Sequence, residues 1–554
     1  MVVQNVVVIV GAIVLIVLAM QMQKLVIQAN IIEKFIIVLW SVFLLLIILV
    51  MIAAMQYKKM ISRNLIIDFF RPDRPNSIIE LLIQAKKEEK ELIKYKIQTA
   101  DKKELQKTGI ILGKQPNGRY FVSPEMEEGN CLVTGFPGTG KTTGILIPTL
   151  LNFKGRVFAI DISGDITKVV KRPRQYNYRP AEGIGIYDVF FNVHRAYNRA
   201  ERLEQLALIA QLLLPEDISV NENGKFFRDN GRKMLNAALI YYYQIGLDFG
   251  EMCLEICSLN AEQLLTILRE EEELRDLILP LISSFEGANE KNTQGCKQAV
   301  DDVLTLFATN ENVRKTLRTI TPEKGKIGVA PFILEFYDIF IIIPQEKLSM
   351  YQPLLRLITG QMLSYFTSRD LRSDIPILMA LDEFGRLGHI SGIVDALGTL
   401  RKRKIRLLLM TQTIPDLDKV YGIADREAIL GNCSFTVCLG AKDKVTQEYF
   451  ANAVGKHYKS RYGANMSNES GDRYSITETE NYIVEPASLA YLNAKKELLI
   501  LTPKGYSYLQ KIYWFEEDYF KKIVIKNRER LKNKTKVNKK GKGVPDEYKI
   551  RRLS

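Results

Sequence analysis

Residues 135–142 read Gly135-Phe136-Pro137-Gly138-Thr139-Gly140-Lys141-Thr142. They follow the short apolar run Cys131-Leu132-Val133-Thr134 and lead into Thr143-Gly144-Ile145-Leu146-Ile147-Pro148-Thr149-Leu150. An apolar strand, a glycine-rich turn and an apolar helix, spaced G-x-x-x-x-G-K-[ST], form the pattern of a phosphate-binding loop. The residue types follow from what such a loop must do. Gly135, Gly138 and Gly140 let the backbone curl until its N–H groups converge on phosphate oxygens. The helix N-terminus behind them adds partial positive charge. Lys141 reaches the β- and γ-phosphates of ATP, and the Thr142 hydroxyl is a Mg²⁺ ligand. The expected nucleotide contacts run from Gly135 and Phe136 through Pro137, Gly138, Thr139, Gly140, Lys141 and Thr142 to Thr143.

Downstream, Arg156 to Ile160 is a short buried strand that ends in Asp161-Ile162-Ser163-Gly164-Asp165. An acid at a strand's carboxyl end sits on the ligand edge of a parallel sheet. Asp161 therefore faces the nucleotide or the Mg²⁺ shell, or else caps the next helix. About 240 residues after the loop, Pro376-Ile377-Leu378-Met379-Ala380-Leu381 runs into Asp382-Glu383. Apolar residues followed by Asp-Glu give a metal-holding carboxylate, Asp382, and a catalytic one, Glu383, that polarises the attacking water. Ile405 to Met410 is another buried strand, closed by Thr411-Gln412-Thr413. Gln412 can donate and accept, so it can hydrogen-bond the γ-phosphate or orient the water. Arg386, Arg401 and Arg403 are candidates to reach a neighbouring subunit's γ-phosphate, the alternative being a solvated basic turn. Ile333 to Pro344 and Ser434 to Leu439 supply further strands. At least five buried strands with helical connections predict a three-layer α/β core with a mainly parallel sheet. The Glu directly after Asp382 places it, by analogy, with RecA-like P-loop NTPases.

The rest of the chain divides around that core. Val6–Met20, long enough to cross a bilayer when counted from Val2, and Phe35–Met55 are uncharged apolar stretches, and Lys58, Lys59 and Arg63 follow the second. The expectation is a transmembrane helical hairpin over 1–56 with both chain ends in the cytoplasm. Arg71-Pro72-Asp73-Arg74-Pro75 breaks a charged linker and helical region, 57–108. The nucleotide-binding domain then comes in two parts, 109–194 and 332–515, separated by an all-helical inserted domain, 195–331. Ser460 to Asn481 is polar and reads as a loop. Of a formal net charge of +14, a net +11 falls between Lys521 and Ser554, so the body is nearly balanced. The segment 516–554 reads as a basic, disordered tail suited to nucleic acid or anionic lipid. Six cysteines without a C-x-x-C pair fit a reducing compartment.

These residues resemble the TraG/TraD-type coupling proteins of type IV secretion systems, relatives of the FtsK/HerA-like RecA-class ATPases. The resemblance is carried in order by the paired apolar stretches, Gly109-Ile110-Ile111-Leu112-Gly113, the loop at 135–142, Asp161 to Asp165, and Arg401 to Gln412. Asp382-Glu383-Phe384-Gly385-Arg386-Leu387-Gly388 is its most specific part, and Tyr421-Gly422 through Ile429 to Cys433 completes it. The chain departs from the family's usual second element by Ile162-Ser163. The resemblance implies an ATP- and Mg²⁺-dependent homo-hexamer at the bacterial inner membrane, multi-pass and mostly cytoplasmic. It implies recruitment of DNA, typically a relaxase-bound single strand, or of effector proteins to secretion-channel components. Two other readings are an FtsK/HerA-like DNA pump and a membrane adaptor that binds nucleotide without hydrolysing it.

Overall fold

The computed structural model describes residues 109–123, 129–162, 164–216, 222–319, 336–371, 375–465 and 473–538. The chain divides into two units, 1–94 and 95–554, and every described residue belongs to the second. The two expected membrane spans and the linker to 108 lie outside the described residues. Among the described residues no helix is long and apolar enough to cross a membrane.

The described strands are β1 (Ile111–Lys114), β2 (Tyr120–Val122), β3 (Cys131–Thr134), β4 (Arg156–Ile162), β5 (Gln175–Tyr178), β6 (Asp338–Ile343), β7 (Ile377–Leu381), β8 (Ile405–Thr411), β9 (Phe435–Cys438), β10 (Lys456–Asn465), β11 (Arg473–Tyr482), β12 (Glu497–Thr502) and β13 (Gly505–Gln510). Eleven of them form one sheet in the order β2-β1-β13-β12-β9-β3-β8-β7-β4-β6-β5. From β9 to β5 every pairing is parallel; β12, β13, β1 and β2 extend the sheet antiparallel. The protein is thus a mixed α/β fold on a large, mostly parallel sheet.

The inner parallel strands are mostly apolar because both faces are covered, whereas β5 at the sheet's edge is polar and half-exposed. Alternate residues go to opposite sides. Leu132, Phe158, Ile160, Met379, Leu407 and Leu409 enter one core, which also holds the helices Gln352–Thr367 and Pro415–Gly431. Val133, Val157, Ala159, Leu378, Leu408 and Met410 enter a second, with Ile147 and Leu150 of the helix Ile147–Asn152. Between β5 and β6 the regular elements of the described residues are helical, the longest being Arg199–Leu213, Glu222–Gln244 and Glu290–Thr309.

Two segments differ from the sequence expectation. The described part of the polar stretch from Ser460 is strand: β10 and β11 pair antiparallel over ten residues each, in a ladder of their own. Tyr458, Tyr462, Tyr474, Ile476, Thr477 and Thr479 supply strand-favouring residues amid the polar ones. The tail is not disordered up to residue 538, because Asp518–Asn538 is a helix. Its charge hides an apolar seam. Phe520 and Val524 are buried one turn apart, and Phe520 meets Tyr120 edge-on at 6.0 Å. Residues 539–554 lie outside the described residues.

Candidate active site

The sheet's topology gathers the predicted residues. Thr134 pairs with Thr411, Leu381 with Leu409, and Ile160 with Leu381, so β3, β4, β7 and β8 end at one edge. The segments that follow these ends are the glycine loop, Asp382-Glu383 and Gln412. In an α/β sheet this carboxyl edge is where ligands bind.

The loop is built by its glycines. Gly138 and Gly140 have φ of 81° and 93°, a backbone that side chains disfavour. Gly135 is excluded from bearing a side chain by space: a Cβ there would lie 2.5 Å from Thr139 Oγ1. Thr139 closes the turn, its hydroxyl and N–H both donating to the Phe136 carbonyl at 2.8 and 3.3 Å. The first turn of the following helix, Lys141–Leu146, is wound as a π-helix, a form found mostly at functional sites. Pro137 and Gly138 are exposed at the tip. The Phe136 ring lies under the Lys442 ammonium, 4.4 Å from its centroid.

Behind the loop the charged residues meet. Lys141, 7% exposed, donates from Nζ to the Gly135 carbonyl at 2.6 Å and lies 3.9 Å from Glu383 Oε1. Burial lowers its pKa, opposed by the charges of Glu383, Asp382 and Asp416. Thr142 Oγ1 donates to Asp382 Oδ2 at 3.1 Å. Asp382 is buried, which raises its carboxyl pKa to about 6, with the neighbouring Glu383 charge as the second cause. Gln412 Nε2 donates to Glu383 Oε2 at 2.9 Å. A cradle of backbone amides, a buried ammonium, a hydroxyl beside a carboxylate, and a second carboxylate held by an amide fit a magnesium-bound nucleoside triphosphate.

Glu383 adopts the left-handed conformation, φ 50° and ψ 41°. That is strained for a residue with a side chain, by about 1–3 kcal/mol, and such strain gathers at functional sites. Neighbours hold it. Phe384 is buried and stacks on Tyr421 at 5.3 Å and 20°. Leu387 is buried, and Gly388 has φ 79°. Gly385 has no room for a side chain, since its Cβ would lie 2.9 Å from Asp416 Cβ. The seven-residue motif is therefore two chemical residues followed by the turn that aims them.

Other predicted residues fall elsewhere. Asp161 is fully buried and accepts from the Ile166 and Thr167 amides at 3.1 and 2.8 Å. Of its two readings, these bonds match the one in which Asp161 caps the next helix. Burial raises its pKa, and the Thr167 and Ile166 hydrogen bonds lower it. Arg401 and Arg403 precede the seven-residue β8, whose far end carries Gln412, and stand at the amino edge, on the order of 20 Å away along the strand. Arg403 is bound internally, its guanidinium donating to the Arg369 carbonyl. Arg386 is exposed at the carboxyl edge, three residues from Glu383. Three residues near the loop were not anticipated: Asp416, which accepts from the Thr413 amide at 3.0 Å, Lys511 and Tyr513. An Asp in a helix's first turn and a Lys after a hairpin carry no local signal.

The sequence profile described as type IV secretory system conjugative DNA transfer matches residues 78–293 and 333–538. Protein VirD4 of Agrobacterium fabrum is 21% identical over 434 residues, covering 75% of this chain and 63% of that one. The type IV secretion system-coupling protein VirD4 of Bartonella quintana is 22% identical over 393 residues, 66% of this chain and 60% of that one. The chain thus spans about three-fifths of the length of the curated relatives it matches. The structure of plasmid coupling protein TrwB in complex with ADP and Mg²⁺ superposes with a TM-score of 0.55 at 18% identity, over 70% of this chain and 86% of that one; the likeness shows a shared fold. With the profile covering most of its length, the chain belongs to the type IV secretory system conjugative DNA transfer family.

Proposed function

We propose that this protein is the ATPase coupling protein of a type IV secretion or conjugation system. It binds ATP with Mg²⁺ and spends hydrolysis on recruiting and driving DNA, as a relaxase-bound single strand, or protein substrates toward the secretion channel. The observation that carries the reading is the meeting of Lys141, Thr142, Asp382, Glu383 and Gln412 at one sheet edge. Coupling proteins among its relatives, one of them solved with ADP and Mg²⁺, support it.

The residues have distinct tasks. Thr142 and Asp382 would hold the metal, which when bound supplies charge neutralisation between phosphate oxygens. Lys141 exchanges the Gly135 carbonyl for phosphate oxygen, which loosens its pair with Glu383. Glu383 is the base for the attacking water, and Gln412 fixes it by the 2.9 Å bond while keeping its own carbonyl free to accept from that water. The working form is a homo-hexamer, with Arg386 the arginine that reaches a neighbour's site. The apolar segments within 1–56 anchor it in the inner membrane.

The test is ATP hydrolysis by the full-length chain, with and without single-stranded DNA. Glu383→Gln should retain nucleotide and lose hydrolysis by at least about 100-fold; Lys141→Ala should lose both. Nucleotide binding with no turnover above background in wild type, and none lost in Glu383→Gln, would leave a nucleotide-binding adaptor. Hydrolysis indifferent to DNA would point to a protein cargo.

A further inference from the structure

We propose that Lys511 is a positioning residue of the phosphate loop: it holds the Thr139–Gly140 peptide so that the Gly140 N–H faces the phosphates. The proposal rests on the nucleotide-binding reading above and adds a residue that no loop motif contains.

After β13 the chain does not leave the site. The Lys511 amide donates to the Lys496 carbonyl at 2.8 Å, and the next residues run along the loop. The Trp514 amide donates to the Thr143 carbonyl at 3.2 Å. The Tyr513 ring covers Gly140, where a Cβ would come within 2.7 Å of it. The Ile512 carbonyl fills the place a Gly144 side chain would need, 2.5 Å from its Cβ. Gly140 and Gly144 are therefore glycines partly because this strap lies on them.

Lys511 is its polar fastening. Nζ donates to the Thr139 carbonyl at 3.0 Å, the Leu439 carbonyl at 2.7 Å and Asn493 Oδ1 at 2.8 Å. An ammonium has three protons, and each has an acceptor. All three acceptors are neutral, so no carboxylate diverts the charge. Burial pushes the Lys511 pKa down to about 8. The Leu439 amide in turn donates to the Thr134 carbonyl at 2.9 Å, at the end of the strand that launches the loop. The lysine thus ties the loop to the ends of β3 and β9.

The consequence follows from peptide geometry. A trans peptide is planar, and its C=O and N–H point in opposite directions. A cation fastened to the Thr139 oxygen from the strap side therefore turns the Gly140 N–H to the other side, toward the loop's concavity. With glycine at φ 93° on its far side, that peptide would otherwise rotate easily.

The experiment is calorimetric binding of ADP and of inorganic pyrophosphate to the full-length chain. Wild type and Lys141→Ala establish that the site takes phosphates. Lys511→Met keeps the length and removes every donor. It should weaken both probes by the same factor, about tenfold or more, the worth of a hydrogen bond to a charged group. Lys511→Gln keeps two N–H donors without charge and should bind both within about threefold of wild type. Wild-type pyrophosphate binding by folded Lys511→Met overturns the inference, as does loss in Lys511→Gln as deep as in Met. If the Met variant does not fold, the folded Gln variant decides alone: binding within threefold supports the assignment and a tenfold loss overturns it. Failure of wild type to bind either probe would sink the nucleotide reading itself, a distinguishable result.

Discussion

Asp382→Asn should make the nucleotide-free, metal-free protein more stable while ending Mg²⁺-dependent hydrolysis. In the fold the Asp382 carboxyl titrates at about 6 rather than 3.8, because burial and the adjacent Glu383 charge disfavour its ionised form. Below pH 3.8 the group is neutral folded and unfolded, and no penalty exists. As pH rises the unfolded chain gives up its proton first, and stability falls until the folded carboxyl ionises near 6. A shift of this size costs about 3 kcal/mol at pH 7.5. Asparagine never ionises. Its oxygen can still accept from the Glu383 amide, and its NH₂ can donate to the Thr142 hydroxyl, replacing the two bonds Asp382 makes at 3.0 and 3.1 Å. Allowing about 1–2 kcal/mol for imperfect replacement leaves a gain of about 1–2 kcal/mol. With an unfolding entropy that scales with chain length, thermal unfolding should show it as a rise of about 1–2 °C at pH 7.5. The gain should shrink by about 1.5 kcal/mol at pH 5, where wild-type Asp382 is mostly protonated in the fold. A variant no more stable than wild type at pH 7.5, or a gain of equal size at both pH values, would refute the reasoning.

Two further substitutions separate roles within the site. Gln412→Ala should lower kcat for ATP hydrolysis by about 10- to 100-fold while leaving nucleotide affinity within about threefold, because Gln412 touches Glu383 and not the loop; steady-state kinetics beside equilibrium binding give the split. Gly140→Ala places a Cβ 2.7 Å from the Tyr513 ring at φ 93° and should cut ADP affinity at least about tenfold, whereas Gly138→Ala, with nothing within 4 Å, meets only the left-handed backbone at about 1 kcal/mol.

The inner strands of the sheet's parallel core were legible because they are buried on both faces and so read as mostly apolar runs, whereas the polar edge strand β5 gave no such signal. The site was legible for a related reason. Asp382 with Glu383, and Gln412, stand directly after such runs, Lys141 closes the glycine loop that follows another, and in a parallel sheet all runs end at the same edge. Asp161 stands after a run too, yet its two oxygens are taken by the Ile166 and Thr167 amides, a choice made by local turn geometry that strand patterning does not encode. The arginines were ambiguous for the opposite reason: Arg401 and Arg403 precede a run and so lie at the far edge. The helix Asp518–Asn538 was hidden by its charge, since two buried residues, Phe520 and Val524, suffice to seat it. Lys511 was illegible because two of its three partners are backbone carbonyls, which every residue has.

The pairing of β1 with β13 sets a timetable. Lys114 lies opposite Gln510, almost 400 residues later. A ribosome adding about 5–20 residues per second needs on the order of 20–80 s to supply that partner. Until then β1 and β2 are a lone two-stranded hairpin, marginal by itself, and the phosphate loop has neither Lys511 nor the strap over Gly140. The catalytic residues are all made before residue 413, but the last fastening of the loop comes only with Lys511. A nascent chain would thus hold a nearly complete set of reactive groups in a loop not yet stiffened, and would gain its grip on nucleotide only once the strap has been made.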